Sequence, residues 1–523
     1  MPTSSTASPQ ALGRQRLVLV AMILAVAMMF IDQTIVALAV PSLQKDLSLS
    51  ATGAQWIVNG YLLSLAALFV LGGKLADVLG HRRMVTIGVV GFAACSALCG
   101  ATPTGSLGEA WMIVFRVAQG AFAALLFPAA LSIVVAAFPQ RERGRALAVF
   151  FGITGALTAV GALAGGYLTE WTWRAIFWIN VPVAIIALVL TAKAKPAEDR
   201  QRVRIDYRGA VLISAAMGLI VLGLQQAGIW GWTDARTVGC IAAGAALLVG
   251  FVALELRQAE PLIPVRIFAR RGFAADNLVL GLMSAVFVPF FFFASVYAQA
   301  SLGYSATKAG LLLLTFFGGF AAAAQWGGRI VDRRGARPSV ILGCLLAAVG
   351  FYLWGKALPS RDFDSQWLYL VLSGAGLGLV LGPISTDALN RAPEAGYGSV
   401  TGITQTARNF GASLGLAIMG SIFIGQNVTR VESTLTDHGV PATAADRIAH
   451  TVTSTGAGGA QAGSAARTLV EAVQVDIAHS AQTIAFIMAG VMAAALLVAA
   501  LLLPAGRVEE PAKDAVQGEM APA

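Results

Sequence analysis

Two stretches of this chain follow one pattern: GGKLADVLGHR at residues 72–82 and GGRIVDRRGAR at residues 327–337. Each combines a glycine pair, a carboxylate, a further glycine and basic side chains. The copies lie 255 residues apart, and the same offset aligns the first five apolar segments of the chain with the ninth to the thirteenth. The chain is therefore predicted to contain two related halves.

Fourteen apolar segments surround these stretches, and each is long enough to cross a bilayer. A hydrocarbon core about 30 Å thick needs about 20 helical residues. Hydrophobic residues make up 57% of the chain and charged residues only 12%, which excludes an ordinary soluble protein. We predict an all-α polytopic membrane protein with spans at residues 17–39, 54–75, 84–102, 109–131, 146–168, 175–192, 208–228, 236–254, 276–298, 308–329, 338–356, 366–388, 398–422 and 483–503.

The repeat groups the fourteen transmembrane helices as 6+2+6. Parallel repeats of this kind are typical of transporters that bind substrate between two halves and rock around it. Residues 424–482 form the longest segment outside, which we interpret as a tolerated insertion, with a lid or interfacial helix as the alternative. The expected units are a cytoplasmic tail at 1–16, a six-helix bundle at 17–192, two inserted helices with cytoplasmic linkers at 193–275, a six-helix bundle at 276–503 and a cytoplasmic tail at 504–523.

The net charge of +9 is distributed along the chain in a way that indicates a membrane rather than nucleic acid. With the N-terminus inside, about 25 Lys and Arg fall on cytoplasmic segments and about 9 outside, as the positive-inside rule requires. We expect a multi-pass protein of the cytoplasmic membrane with both termini in the cytoplasm. Its partners would be the lipid bilayer, protons and a small amphipathic substrate, with no nucleic acid.

The loops lack the features of a catalytic domain. No loop clusters Asp, Glu or His, and no phosphate-binding loop that would indicate ATP-driven transport occurs. The four histidines are scattered and the four cysteines lie in apolar spans, so we expect no enzyme activity, no cofactor and no metal site.

The repeated stretch is predicted to form a cytoplasmic gate. Glycines let two helix ends turn and approach closely, and a carboxylate near a helix N-terminus can accept backbone hydrogen bonds. Basic side chains could pair with it across the two halves. The simpler alternative is a positively charged turn with a helix cap. The gate residues would be Gly73, Asp77, Gly80, Arg82 and Arg83 with Asp332, Arg333 and Gly335.

Four further runs resemble the major facilitator superfamily, in particular its fourteen-span drug:proton antiporters. Residues 73–83 match that superfamily's G-x-L-A-D-x-x-G-x-[RK]-[RK] loop, and residues 32–41 its D-x-T-I-V-x-x-A-x-P run. Residues 116–120 are similar to R-x-x-Q-G, and residues 173–182 to W-R-x-x-F-x-x-N-x-P. The resemblance covers all fourteen spans and implies the major facilitator fold.

The fifth span departs from the family's antiporter motif. Where the motif ends G-P-x-x-G-G, this chain has Gly161, Ala162, Gly165 and Gly166, so alanine stands in place of proline. A kink expected there would be weaker. The glycines still offer a smooth helix face for close packing.

Two charged residues lie well inside spans at one depth, Asp32 in the first span and Arg116 in the fourth. A charge at mid-helix costs about 2.5–3.5 kcal/mol on insertion scales, so such residues are functional candidates. In the family these spans line the central cavity. The hypothesis is that Asp32 binds the proton and the drug in turn while Arg116 adjusts its proton affinity. The alternative is a static pair that holds the bundle together.

The remaining polar residues are less decisive. Because Val371 stands at the repeat position of Arg116, proton handling is expected in the N-terminal half alone. Snorkelling explains Asp387 and Arg408 near the ends of their spans, and Asp276 stays ambiguous. The substrate cavity could include Gln33, Thr34, Trp56, Asn59, Gln119, Gln405 and Asn409.

We therefore expect proton-driven efflux of drugs or antibiotics across the cytoplasmic membrane by alternating access. The alternative is a dedicated exporter of one endogenous metabolite, such as a self-made antibiotic, a peptide or an amino acid. A non-transporting membrane enzyme or receptor is a remote third.

Overall fold

The computed structural model describes residues 9–138, 140–196, 206–391, 397–455 and 464–506. No residue in these ranges lies in a β-strand. The helices are α1 Pro9–Leu47, α2 Ala51–Leu79, α3 His81–Gly100, α4 Gly108–Ala137, α5 Gln140–Trp171, α6 Ala175–Trp178, α7 Asn180–Ala194, α8 Tyr207–Trp230, α9 Ala235–Glu255, α10 Arg271–Val296, α11 Ala306–Arg334, α12 Ala336–Ala357, α13 Trp367–Asn390, α14 Tyr397–Asp437, α15 Ala442–Thr455 and α16 Ser464–Leu502.

Most of these helices are long enough to cross a membrane. Thirteen segments of the described residues are long and apolar enough to do so, with α6 and α7 together forming one of them. Helix α5, of 32 residues, lies between two of these segments. The fold class predicted from the sequence, an all-helical polytopic protein with about fourteen spans, is confirmed.

The two halves pack their helices in the same pairs. In the first half α1 packs on α5, α2 on α4, α3 on α4 and α3 on α7. In the second half α10 packs on α14, α11 on α13, α12 on α13 and α12 on α16. The first three pairs of the second half stand 255 residues after those of the first, and α16 takes the place of α7 in the fourth pair. The 255-residue repeat in the sequence is therefore also a repeat in the packing.

Matching residues begin and end matching helices. The side chain of Ser50 accepts a hydrogen bond from Gly53 at the start of α2, and Ser305 accepts one from Lys308 at the start of α11. A serine cap of this kind satisfies one of the free N–H groups of a helix start. Both helices end at a glycine with positive φ, 98° at Gly80 and 81° at Gly335.

The halves meet mainly through the helix pairs α5 with α11, α2 with α14 and α1 with α10. Helices α8 and α9 pack on each other, and α8 also lies against both α2 and α14. The inserted pair therefore covers one of the seams between the halves. We call the side of the bundle that carries Arg14, Arg82 and Arg391 the basic side, and the opposite side the far side.

The segment predicted as a long outside loop is mostly helical where the structure describes it. Helix α14 continues past the predicted end of its span to Asp437, and α15 follows at Ala442–Thr455. Helix α16 begins at Ser464, well before the span predicted at 483–503. Because α14 and α16 pack on each other and α15 packs on α14, these extensions have partners outside the predicted spans.

Helix α10 is a central helix, and its phenylalanines are buried in the protein. Phe290 stacks on Phe316 with ring centroids 4.3 Å apart, and Phe291 stacks on Phe317 at 5.1 Å. Aromatic pairs of this kind contribute about 0.5–1.5 kcal/mol beyond their area burial. These stacked rings therefore form part of the packing between α10 and α11.

Candidate functional site

The side chains of Asp32 on α1 and Arg116 on α4 form an ion pair inside the first half. Arg116 Nη1 donates to Asp32 Oδ2 over 2.6 Å, and the two side chains are 1% and 0% exposed. Gln119 Nε2 donates to the other carboxylate oxygen over 3.1 Å. The sequence placed Asp32 and Arg116 on two spans at one depth and gave Gln119 as a possible cavity residue, and the structure brings all three together.

The guanidinium of Arg116 is held from several directions. Its Nε donates to the carbonyl of Ile57 on α2 over 2.8 Å, and its Nη1 also donates to Gln119 Oε1 over 2.7 Å. The ring of Tyr61 lies 4.4 Å from Arg116 Cζ, within the range of a cation–π contact. Burying two charges is costly, and hydrogen bonds of this kind offset part of that cost. Helices α1, α2 and α4 thus share one buried polar site.

The glycines of α5 bring that helix against α1 and α11. A Cβ at Gly161 would clash with Thr34, and one at Gly165 would lie 2.8 Å from Ile35. A Cβ at Gly166 would lie 2.7 Å from the carbonyl oxygen of Ala306, across the boundary between the halves. Close approach of the backbones therefore explains the glycines at these positions.

Asn59 links three parts of the molecule. Its Nδ2 donates to Gln225 Oε1 on α8 over 2.5 Å, and its Oδ1 accepts a hydrogen bond from Ser413 on α14. Asn59 is fully buried and follows Ile57, the carbonyl partner of Arg116, by two residues on α2. The buried ion pair is therefore joined through α2 to the seam between the halves.

The other predicted cavity residues lie on α1, α2 and α14. Thr34 is buried and donates to the carbonyl of Thr158 over 2.9 Å, so it fastens α1 to α5. Asn409 donates to the carbonyl of Gln405 one turn earlier on α14. Gln33, Trp56 and Gln405 are half-buried. Of the predicted set, only Gln119 bonds directly to the ion pair.

The far side of the seam between the halves is closed. Ser295 at the end of α10 and Gln299 just after it both donate to the carbonyl of Leu38 on α1, over 3.4 and 3.0 Å. Glu170 at the end of α5 accepts a hydrogen bond from the backbone N–H of Thr307 on α11 over 3.1 Å. Further along α11 towards the basic side, the face that carries Gly310 is exposed at Ala321 and Gly328. The halves therefore pack together on the far side, and this face of α11 is uncovered towards the basic side.

The repeated loops place most of their predicted gate residues at helix ends on the basic side. Gly80 and Gly335 provide the positive φ of the two turns, and Asp77 pairs with His81 over 3.2 Å within its own half. Arg82 is half-buried, and Arg83 and Arg333 are exposed. Gly73 packs on Pro128. The side chain of Asp332 lies outside the described residues. The ion pair that the structure describes at these loops, between Asp77 and His81, therefore lies within one half.

A second group of charges, which sequence reasoning did not assemble, lies near the basic side of the second half. Arg391 Nε is 2.6 Å from Asp387 Oδ2 and 3.7 Å from Asp276 Oδ2. The i,i+4 spacing of Asp387 and Arg391 is a signal for that pair. Asp276 lies on α10, far away in sequence, and no local pattern connects it to them.

Comparison with known proteins agrees with this geometry. The family model described as Major Facilitator Superfamily matches residues 22–416. The tetracenomycin C resistance and export protein of Streptomyces glaucescens is 38% identical over 413 residues, covering 78% of this chain and 76% of that protein. The puromycin resistance protein pur8 of Streptomyces alboniger is 34% identical over 446 residues, covering 83% and 86%. The cephamycin export protein CmcT of Amycolatopsis lactamdurans is 35% identical over 408 residues, covering 74% and 81%.

Solved structures share the fold at low sequence identity. A bacterial homolog of the human lysosomal transporter Spinster, in an inward-facing and unoccupied conformation, aligns with a TM-score of 0.59 at 18% identity, covering 95% of this chain and 98% of that one. The proton:xylose symporter XylE aligns with a TM-score of 0.57 at 14% identity, covering 95% and 97%. Both are transporters built from helical bundles.

Proposed function

The chain belongs to the Major Facilitator Superfamily, and from that premise we propose that it exports drugs or antibiotics across the cytoplasmic membrane in exchange for protons. The basic side faces the cytoplasm, in keeping with the positive-inside rule. The observation that carries the proposal is the Asp32–Arg116 ion pair, because charges buried within transmembrane helices are expensive and mark ion or substrate pathways.

Asp32 is the proposed proton carrier. As a carboxylate it accepts hydrogen bonds from both Arg116 and Gln119. A proton on Asp32 removes the charge that faces the guanidinium and turns one acceptor into a donor. Arg116 must then find other acceptors, such as Gln119 Oε1, which it already contacts. Protonation therefore rearranges the polar site, and a cationic substrate group could compete with the proton for the carboxylate.

The site can respond to rocking through α2. Arg116 is bonded to α2 at Ile57, and Asn59 two residues later is bonded to Ser413 in the other half. When the halves move apart on the far side, the Asn59–Ser413 contact is strained or lost. The position of α2, and with it the donors around Asp32, then differs between the two states. A differential interaction of this kind is what coupling between proton and substrate requires.

A dedicated exporter of one self-made compound is the second candidate. The names of the three relatives given above specify a single compound each: tetracenomycin C, puromycin and cephamycin. The Asp32–Arg116 site serves either substrate range, because a cationic group on any substrate can compete with the proton for the carboxylate of Asp32.

The experiment is drug-dependent proton release from everted vesicles enriched in this protein, over a panel of cationic dyes and antibiotics. Wild-type protein should release protons when a transported compound is added, and Asp32→Asn should abolish that release. Asp437→Asn, a change at an exposed carboxyl on the far side, is the matched control and should behave as wild type.

The outcomes separate the candidates. Response to several chemically unrelated compounds supports a multidrug exporter, whereas response to one class supports a dedicated one. Proton-coupled transport at the wild-type rate in a folded Asp32→Asn variant would exclude Asp32 as the carrier.

A further inference from the structure

The second charge group, Asp276 with Asp387 and Arg391, contains a carboxyl that is buried without a hydrogen-bond donor. The side chain of Asp276 is 0% exposed, and no N–H or hydroxyl group among the described residues donates to either of its oxygens. The polar group beside it is the carboxyl of Asp387. Asp387 is almost as deeply buried, but it bonds to Arg391 over 2.6 Å. The two carboxyl groups thus have different environments although they share one guanidinium.

The charge balance of this group is one cation against two carboxyls. Arginine stays protonated in proteins, so it contributes one positive charge. Arg391 Nε bonds to Asp387 and lies 3.7 Å from Asp276 Oδ2, which is beyond hydrogen-bond distance. An ionised Asp276 would be a buried charge with no donor, a costly arrangement that proteins avoid by neutralising the group. A protonated Asp276 removes the excess negative charge.

The charged groups around Asp276 come from α13 and from its own helix. Asp387 and Arg391 are the groups whose electric field acts on it. Arg408 of the neighbouring α14 points to the ring of Phe30, with its Cζ 6.0 Å from the ring centroid.

On its own helix, the two arginines at the start of α10 bond to carbonyl groups. Arg270 donates to the carbonyl of Arg391 over 3.3 Å, and Arg271 donates to that of Leu501 over 2.6 Å. These cations are therefore directed to backbone acceptors.

The backbone allows Arg391 to reach either carboxyl. Gly272 stands one turn before Asp276, and a Cβ there would lie 2.9 Å from Arg391 Cδ. The absence of a side chain at Gly272 leaves room for the arginine stem to lie against α10. A small movement of the guanidinium would then exchange Asp387 for Asp276 as its main partner.

We propose that Asp276 is a second proton-binding site, located in the half opposite Asp32 and next to the cytoplasm, and that Arg391 exchanges between Asp387 and Asp276 as the proton leaves and returns. In the state described, Asp276 carries the proton and Arg391 pairs with Asp387. When Asp276 loses its proton to cytoplasmic water, its carboxylate attracts Arg391. The use of this proton in transport rests on the proposed function, whereas its presence on Asp276 does not.

The test is infrared spectroscopy of the purified protein in lipid nanodiscs, which needs no substrate. The spectrum of wild type minus that of Asp276→Asn should contain the carbonyl band of a protonated carboxylic acid near neutral pH. The band should disappear on raising the pH, and transfer into D2O should shift it rapidly if the site exchanges with water. Asp437→Asn serves as the control and should keep the band.

A second variant tests the exchange of partners and leaves Asp276 in place. Asp387→Asn removes the competing carboxylate, so Arg391 should pair with Asp276 and the same band should be lost near neutral pH. The proposal is overturned if wild type and Asp276→Asn have identical carboxylic acid bands, or if the band resists both alkaline pH and D2O. Loss of transport in Asp32→Asn changes none of these spectra, so the two proposals fail separately.

Discussion

Arg116 is among the largest fully buried side chains of the protein, and it donates to Asp32, Gln119 and the carbonyl of Ile57. At the scale of single residues, this pairing decides how a substitution of either charged residue affects stability. A buried ion pair adds little stability compared with an apolar pair, but removing one partner leaves the other charge uncompensated. The same holds for the carboxyl of Asp276, for which the structure supplies no donor.

Arg116→Gln should therefore be strongly destabilising. We expect a loss of about 3–5 kcal/mol in the free energy of unfolding, because Asp32 stays buried without its cation. The double variant Asp32→Asn/Arg116→Gln should recover most of this loss, since neither charge remains. Unfolding in mixed micelles with increasing dodecyl sulfate measures the difference. A double variant as unstable as the single one would show that the packing of the arginine stem, and not its charge, holds the helices together.

The sequence allowed part of this site to be anticipated. Asp32 and Arg116 are each the only charge deep in an apolar run, so depth counted along the helix was enough to place them together. In the sequence, Asp276 and Asp387 are separate residues near span ends and Arg391 does not stand out, because contact between α10 and α13 is set by how the helices pack. A charged side chain near a span end can extend to the membrane surface, whereas one in the middle of a span cannot, so charges near span ends do not by themselves indicate a functional site.

At the scale of helices, the repeat determines where each element turns. Gly80 and Gly335 hold the positive φ between α2 and α3 and between α11 and α12. Ser50 and Ser305 begin the helices that these glycines end. Pro128 and Pro383 occupy repeat positions within α4 and α13, and each lies beside a glycine of the facing helix. The halves thus share caps, turns and close contacts as well as spans.

Gly80→Ala should destabilise the first half, because a residue with a Cβ is strained at a φ of 98°. We expect a cost of about 1–3 kcal/mol in the free energy of unfolding. Gly218→Ala is the matched control, since this glycine lies within helix α8 and has open space around it. There alanine should be neutral or gain up to about 1 kcal/mol through helix propensity. Equal effects at the two positions would contradict the argument from backbone conformation.

At the scale of the whole molecule, the contacts between the halves define the conformational state, in which the far side is closed. The far side is closed by α1 against α10 and by α5 against α11, and the inserted helix α8 covers the seam between α2 and α14. Two bundles that share one fold and meet through equivalent helices can rock about the centre of their interface. Contacts that join the two halves on the far side must break in the conformation that opens on that side.

Glu170 provides a pH-dependent test of that closure, since it lies beyond the predicted fifth span. A hydrogen bond from the side chain of Ser305, with one from the backbone of Thr307, lowers the pKa of Glu170 below its ordinary value of 4.5. Because the pKa is lowered in the closed state, these hydrogen bonds stabilise the closure fully at any pH above the ordinary pKa of 4.5. Their stabilisation is lost as the pH falls through the lowered pKa and Glu170 becomes protonated. Distances between spin labels at Tyr167 and Lys308 should therefore stay short from neutral pH down to about the ordinary value and lengthen only in stronger acid.

Glu170→Gln should lengthen part of the distance distribution already at neutral pH. Glu109→Gln is the control, because Glu109 bonds to Ser50 within one half and crosses no boundary. Because Glu170 is exposed, the expected change is modest. A distribution that is the same in both variants would show that the closure does not depend on this contact.

The sequence by itself determined the helical class, the number of spans, the repeat and the depth of Asp32 and Arg116, because these follow from hydropathy, spacing and cost of insertion along one dimension. Only the tertiary structure decided which faces of the helices meet. Packing placed the phenylalanines of α10 in the core, continued α14 and α16 beyond their predicted spans, joined Asn59 to two distant helices and set Asp276 beside a guanidinium that another carboxylate already holds. Such contacts depend on rotation and neighbours, which no window of sequence contains.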